Sequence, residues 1–210
     1  MDSNFVEDYK KNYLFKKSLL GNADKEIPTL YPDADGTDLD IFKKLADIER
    51  NALDFVSNGR NLFLYSNTTG NGKTAWSKKI LLSYFNQIWE DTDLEPRGLF
   101  IDVQKLFYSM RDSIRNENEY YEYIREAVSK VDLVVWDELA VRDVSDWEKT
   151  TFLMFINERL DNGKANIFTS NMFGDTLRDL IGDRLYSRVV QNSKLIEFKG
   201  KDKRALNNNW

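Results

Sequence analysis

A chain of 210 residues can bury one substantial core, and two full domains would be cramped. Its 30 Lys and Arg against 35 Asp and Glu give a formal charge of −5, which excludes a protein that coats nucleic acid through bulk positive charge and leaves room only for a local basic patch. With no Cys there is neither a disulfide framework nor a thiolate zinc site, and with no His any catalytic proton transfer falls to a carboxylate, a lysine or water. No apolar run approaches the ~20 residues needed to span a bilayer. The acidic start MDSNFVEDYKK lacks the pattern of a secretory signal, so a cytoplasmic protein with no membrane partner is expected.

Residues 1–36 read as an N-terminal arm, a candidate partner-binding segment. It holds a helix from Phe5 to Leu20 and then the turn-rich run GNADKEIPTLYPDADG, with two of the three prolines. From Thr37 a capping-box pattern with Asp40 opens a helix whose Ile41, Leu45, Ile48, Ala52 and Phe55 share one face; Asn58 and Gly59 stop it. The apolar run Leu62 to Tyr65 reads as a buried strand, followed by a Gly-containing loop and a helix from Lys73 to about Trp89. Leu99 to Val103 reads as a second strand, Gln104 to Lys130 as one or two helices, and Leu133 to Trp136 as a third strand. Ser145 with Glu148 makes a second capping box, whose helix runs to about Leu160 and ends at Asn162 and Gly163 before a strand at Asn166 to Phe168. Helices at Asp175 to Leu180 and Asp183 to Val190 precede a last strand at Leu195 to Phe198, and residues 205–210 form a tail. Strands alternating with helices specify an α/β fold, a parallel sheet sandwiched between helices.

The strongest local signal is Asn67-Thr68-Thr69-Gly70-Asn71-Gly72-Lys73-Thr74, a near match to G-x-x-x-x-G-K-[ST] between an expected strand and helix. A phosphate chain needs a backbone that wraps close to it. Gly70 and Gly72 free the loop, and the amides opening the next helix point at the anion. Lys73 would neutralise the β and γ phosphates and Thr74 would bind Mg2+. Asn67 stands where the pattern has glycine, and asparagine is among the non-glycine residues best suited to a left-handed backbone. An ordinary glycine turn capping a helix would use similar letters.

The run Leu133 to Glu138 is an apolar strand ending in two acids, placed where open α/β sheets bind ligands. Asp137 suits the Mg2+ shell, and Glu138 suits a general base that activates water. Taken alone, the pair also fits an acidic turn after a buried strand. Asn171, at the exit of Ile167-Phe168-Thr169-Ser170, offers both a donor and an acceptor for a γ phosphate or a water, although the letters are common in loops. In GDRLYSRVV, Arg184 and Arg188 share a helix face; Arg184 fits a solvated ion pair with Asp183 or other acids, while the planar guanidinium of Arg188 suits charge on a phosphoryl group in transit.

Together these motifs resemble the AAA+ ATPases, specifically the DnaC/DnaI-type bacterial and phage helicase loaders, with IstB-type transposition ATPases as relatives. The likeness covers residues 39–204 and rests on NTTGNGKT, KVDLVVWDELAVRDVSDWEKTTFLMFINERLDNG, IFTSN, GDRLYSRVV and FKGKDKR in the family's order. It implies an AAA+ P-loop core over residues 37–204 with no sizeable C-terminal lid, ATP and Mg2+ as cofactors, and head-to-tail self-association. It also implies a hexameric replicative helicase and single-stranded DNA as partners. It places Lys73 and Thr74 in Walker A, Asp137 and Glu138 in Walker B, Asn171 at sensor 1, Arg188 as an arginine finger, and Arg204 as a partial match to the terminal arginine motif. The family's larger N-terminal helicase-binding domain has no counterpart here, which leaves the arm to substitute for it or the partner to differ.

In the family the helices before Walker B carry single-stranded DNA contacts. Here that region offers Lys105, Phe107, Tyr108, Arg111 and Arg115, cations and rings able to track phosphates and stack bases. Phe107 and Met110 are equally at core spacing, and Glu117, Glu119 and Glu122 dilute the positive field. Three other functions compete with helicase loading: an IstB-like transposition accessory, a small-molecule P-loop kinase, and a nucleotide-binding module without turnover.

Overall fold

The computed structural model describes residues 3–20, 27–140 and 144–203. Its five strands are β1 (Asn61–Tyr65), β2 (Gly98–Asp102), β3 (Leu133–Asp137), β4 (Ala165–Ser170) and β5 (Lys194–Glu197). All their pairings are parallel, in the spatial order β2-β3-β4-β1-β5. Successive side chains of a strand point to opposite faces, so continuous apolar strands need cover on both. Leu62 and Leu64 of β1 accordingly enter one core and Phe63 the other; Leu133 and Val135 of β3 separate in the same way from Val134 and Trp136.

One face is covered by α1 (Ser3–Ser18), α2 (Leu39–Arg50), α3 (Ala52–Ser57) and α4 (Lys73–Ile88), through Leu14, Phe42, Phe55 and Ile80 among others. The opposite face is covered by α5 (Val103–Asp112), α6 (Glu119–Ala127), α7 (Asp146–Asp161), α8 (Asp175–Ile181) and α9 (Asp183–Gln191), through Met110, Ile124, Phe152, Leu177 and Val189. Among the described residues no helix is long and apolar enough to cross a membrane, and β5 is followed by an irregular segment to Lys203.

The capping box expected at Thr37 does not form. α2 starts at Leu39 with Asp38 as its cap residue and no side-chain cap bond. Asp38 instead accepts hydrogen bonds from the backbone N–H groups of Lys199 (2.9 Å) and Gly200 (2.7 Å), while the Thr37 amide donates to Asp35 at 2.9 Å. A tertiary bond therefore outcompetes the local one. The single helix expected to follow is broken at Asn51 into α2 and α3. The region after β2 resolves into two helices, the second capped by the Asn118 side chain accepting from the Tyr121 amide at 3.1 Å. The Ser145–Glu148 box forms reciprocally, as its spacing predicts. Within the expected arm, α1 lies against the α4 side, with Leu14 and Leu19 buried, the Lys10 ammonium donating to the Thr92 carbonyl and Lys17 paired with Glu95 at 3.6 Å.

A buried polar network pins the amino ends of β3 and β4. Arg159 on α7 is 0% exposed and donates to the carbonyls of Val128, Val131 (3.0 Å), Asp132 (3.2 Å) and Ala165 (2.6 Å) and to Asn166 Oδ1 (2.7 Å). Asn166 Oδ1 also accepts from Trp136 Nε1 at 3.0 Å, and its amide nitrogen donates to Asn61 Oδ1 and the Lys164 carbonyl, both at 2.9 Å. Burial pulls the Arg159 pKa down to about 9, which leaves the group cationic at neutral pH. Its charge is spread over four carbonyl dipoles and one amide oxygen. Arg159→Leu should remove a donor from each of these acceptors and lower unfolding free energy by about 3 kcal/mol or more, read from urea denaturation.

Candidate nucleotide site

The loop after β1 is held by a relay of side-chain bonds. Ser66, 1% exposed, accepts from the Thr68 amide at 2.9 Å and from Asn71 Nδ2 at 2.7 Å. Asn71 in turn accepts from the Lys73 ammonium at 3.1 Å, which also donates to the Thr68 carbonyl at 3.0 Å. Lys73 is thus placed before any ligand arrives. Gly70 and Gly72 take φ of 72° and 109°, a backbone shape that favours glycine, and the Leu30 side chain packs close over Gly72. Asn67 has no positive φ: among the described residues only Leu20, Asp38 and Glu138 do so without being glycine. Its tolerance therefore does not come from a left-handed backbone, as the sequence suggested; the position makes no demand for glycine.

Because β4 lies between β1 and β3, its carboxyl end falls between the phosphate loop and the two acids. Thr74, in the first turn of α4, donates its hydroxyl to Asp137 Oδ1 at 2.9 Å. Thr169 donates to the same oxygen at 2.7 Å, and its own hydroxyl accepts from the Glu138 amide at 2.9 Å. Glu138 is left-handed at φ 61°, and its carboxylate accepts from Asn171 Nδ2. A cavity of about 310 Å3 is lined by Thr69 to Ala75, by Glu138 and Asn171, and by Pro28, Leu30 and Lys203. Asn67 and Thr68 do not line it, and Asp137 reaches it only through Thr74.

Burial pushes the Asp137 carboxyl above its ordinary value, an effect that the hydroxyls of Thr169 and Thr74 oppose. Burial likewise raises Glu138, eased by its bond from Asn171. Among the described residues no group of three or more Asp, Glu, His or Cys could cage a metal. The Thr74 hydroxyl beside the Asp137 carboxylate offers a sparse pair of oxygens, which suits Mg2+, an ion that keeps several waters and takes the rest of its shell from phosphates.

The remaining candidates lie elsewhere. Arg184 and Arg188 are exposed on α9 and line a separate groove with Leu153, Asn157 and Ser187, while Asp183, the partner expected for Arg184, approaches Arg178 at 3.7 Å. Arg204 lies outside the described residues, as does the 205–210 tail. Phe107 is 3% exposed with its ring edge-on to Phe152, so it has no face to offer a base. Lys105 donates to the Leu20 carbonyl at 3.1 Å and sits over the Tyr120 ring, and Arg111 pairs at 3.0 Å with the buried Glu148. Both cations have partners within the fold, and Arg111 remains half-exposed. Arg115 stands exposed beyond the end of α5, near in sequence to the exposed Tyr108 and Ile114.

Sequence reasoning missed Ser66, Thr169, Pro28, Leu30 and Lys203. Thr169 and Lys203 lay inside the runs IFTSN and FKGKDKR as letters given no role, and Ser66 immediately before NTTGNGKT. Pro28 and Leu30 are brought in by a chain crossing that no local spacing encodes.

The parallel sheet between helices, with a glycine-bearing loop joining β1 to α4, defines an α/β fold of the P-loop type. The chain is similar to the DnaC/DnaI-type helicase loaders. It is 26% identical over 136 residues to the replicative helicase loader DnaC of Escherichia coli K12, covering 63% of this chain and 51% of that protein. The chain thus spans about half the length of the curated relatives it matches. The crystal structure of the DnaC helicase loader superposes with a TM-score of 0.63 at 17% identity, over 88% of this chain and 98% of that one. That of DnaI gives 0.58 at 18% identity, over 92% and 93%. No family model matches the sequence.

Lys73→Ala removes the cation that opposes phosphate charge. It should weaken ATP binding on the order of a hundredfold, measured by titration of a fluorescent ATP analogue.

Proposed function

We propose that the chain binds ATP with Mg2+, hydrolyses it at a site shared between head-to-tail subunits, and uses that cycle to load a hexameric replicative helicase onto single-stranded DNA. The observation that carries the ATPase reading is the convergence of Lys73, Thr74, Asp137, Glu138 and Asn171 around one cavity and its immediate wall. The loader reading rests on the likeness to the replicative helicase loader DnaC.

Lys73 and the amides of the loop hold the β and γ phosphates, and Thr74 and Asp137 hold Mg2+. The ion, when bound, neutralises charge on the phosphoryl oxygens. Glu138 takes the proton of the attacking water, for which a carboxyl raised by burial is better matched to neutral pH than an ordinary one. Asn171, already bonded to Glu138, orients that carboxylate and offers its amide toward the γ phosphate. Arg188 does not line the cavity of its own subunit, and its exposure on α9 leaves it available to a neighbour's nucleotide.

Glu138→Gln should keep ATP affinity within about threefold and slow phosphate release by roughly 10² or more, because the amide keeps the shape and loses the base. Unchanged turnover would remove Glu138 from that role. Mixing Lys73→Ala with Arg188→Ala, each inactive alone, should restore hydrolysis where an intact loop meets an intact finger, since a finger contributes on the order of 10³-fold in rate. Failure of two assembled variants to complement would confine Arg188 to its own subunit. For DNA, Arg115 is the cation of this region with no structural bond among the described ones, so Arg115→Glu should weaken single-strand binding and lower the salt slope by about 1. Co-purification with a hexameric helicase rather than a transposase separates the loader reading from the transposition one.

A further inference from the structure

The sequence assigns the acids of β3 to catalysis but gives no reason why two consecutive strand-end residues should serve one site. In a strand, neighbouring side chains point to opposite faces. Asp137 completes β3, and an extended Glu138 would turn its carboxylate away from the P-loop. It is instead left-handed at φ 61°, a conformation that non-glycine residues adopt at a cost, and its carboxylate lines the cavity. Something must hold that step.

We propose that Thr169 is the positioning residue that holds both acids. It is 2% exposed at the end of β4 and bonds in three directions. Its hydroxyl proton goes to Asp137 Oδ1 (2.7 Å), its hydroxyl oxygen accepts the Glu138 amide (2.9 Å), and its carbonyl accepts the Leu139 amide (2.9 Å). Each side of the left-handed step is thereby tied to the same residue. Thr74 also donates to Asp137, but it is exposed and has a second duty toward a cation; Thr169 is buried and has none. The hydroxyl therefore couples the metal-facing carboxylate to the backbone that carries the water-facing acid. The inference rests on the ATPase reading for its catalytic meaning, although the backbone restraint itself does not.

Thr169→Val keeps volume and suits a strand while deleting the hydroxyl; Thr169→Ser keeps the hydroxyl. Three readouts on the full chain decide the matter. In Thr169→Val, amide hydrogen exchange at Glu138 should rise about tenfold, as expected for a lost hydrogen bond, while Phe63 and Leu64 in β1 stay at the wild-type rate. The kcat for MgATP should fall about tenfold or more, with ADP affinity in EDTA within about twofold of wild type, and Thr169→Ser should recover both exchange and kcat to within about threefold. Wild-type exchange at Glu138 in Thr169→Val, or equal kcat in the valine and serine variants, would overturn the proposal. If the unmodified chain releases no phosphate from MgATP, the ATPase reading fails. Exchange at Glu138 then still shows whether Thr169 holds the step.

Discussion

A guanidinium with no exposed surface sets the register on which everything at the other end of the sheet depends. Arg159 reaches from α7 to carbonyls at the close of α6, ahead of β3 and at the start of β4, and meets Asn166 beside Trp136. Leu133 then stands opposite Ala165 and Trp136 opposite Phe168. One residue further on, Asp137 and Thr169 are within hydrogen-bond reach. A slip by a single residue would exchange the two faces of the strand and send the acid away from the phosphate loop. A buried charge is an expensive way to fix register, since its desolvation must be met by well-aimed acceptors. Here each nitrogen of the guanidinium has at least one acceptor, which is what makes the arrangement tolerable.

The strands were legible because buried parallel strands leave an apolar run bounded by turns, and NLFLY, GLFID and LVVWD are such runs. The phosphate loop was legible because its glycines, lysine and threonine are constrained by backbone shape and charge within eight consecutive residues. What was not legible depends on partners far along the chain. Thr37 and Asp40 have capping-box spacing, yet Asp38 is claimed by amides 161 and 162 residues away. Phe107 could not be settled as core or base platform until Phe152 was seen against it. Lys105 and Arg111 read as free cations only while Leu20 and Glu148 were distant letters. Strand order likewise has no local signature, and it is the order that puts Thr169 between loop and acids.

The site combines rigidity at its base with a wall borrowed from two distant segments. Ser66, Asn71 and Lys73 are linked by hydrogen bonds within the loop, so an incoming phosphate finds the cation already aimed. By contrast, Leu30 comes from the turn-rich stretch ahead of α2, and Lys203 from the extension after β5. These two stretches are clasped to each other by Asp33 with Lys203 and by Asp38 with the amides of Lys199 and Gly200. The Lys203 amide also donates to the Gly70 carbonyl at 2.9 Å, which ties the clasp to the loop itself.

Lys203 belongs at once to the clasp and to the cavity wall, so clasp and cavity form one thermodynamic unit. A ligand that fills the cavity against Leu30 and Lys203 holds the clasp shut by the same factor by which a shut clasp raises that ligand's affinity. Asp33 is thereby joined to the phosphate loop through Lys203 and the Gly70 carbonyl, by a route that does not pass through the sheet. In mechanical terms the clasp is a latch whose handle lies outside the rigid core, and whose bolt is the wall of the pocket.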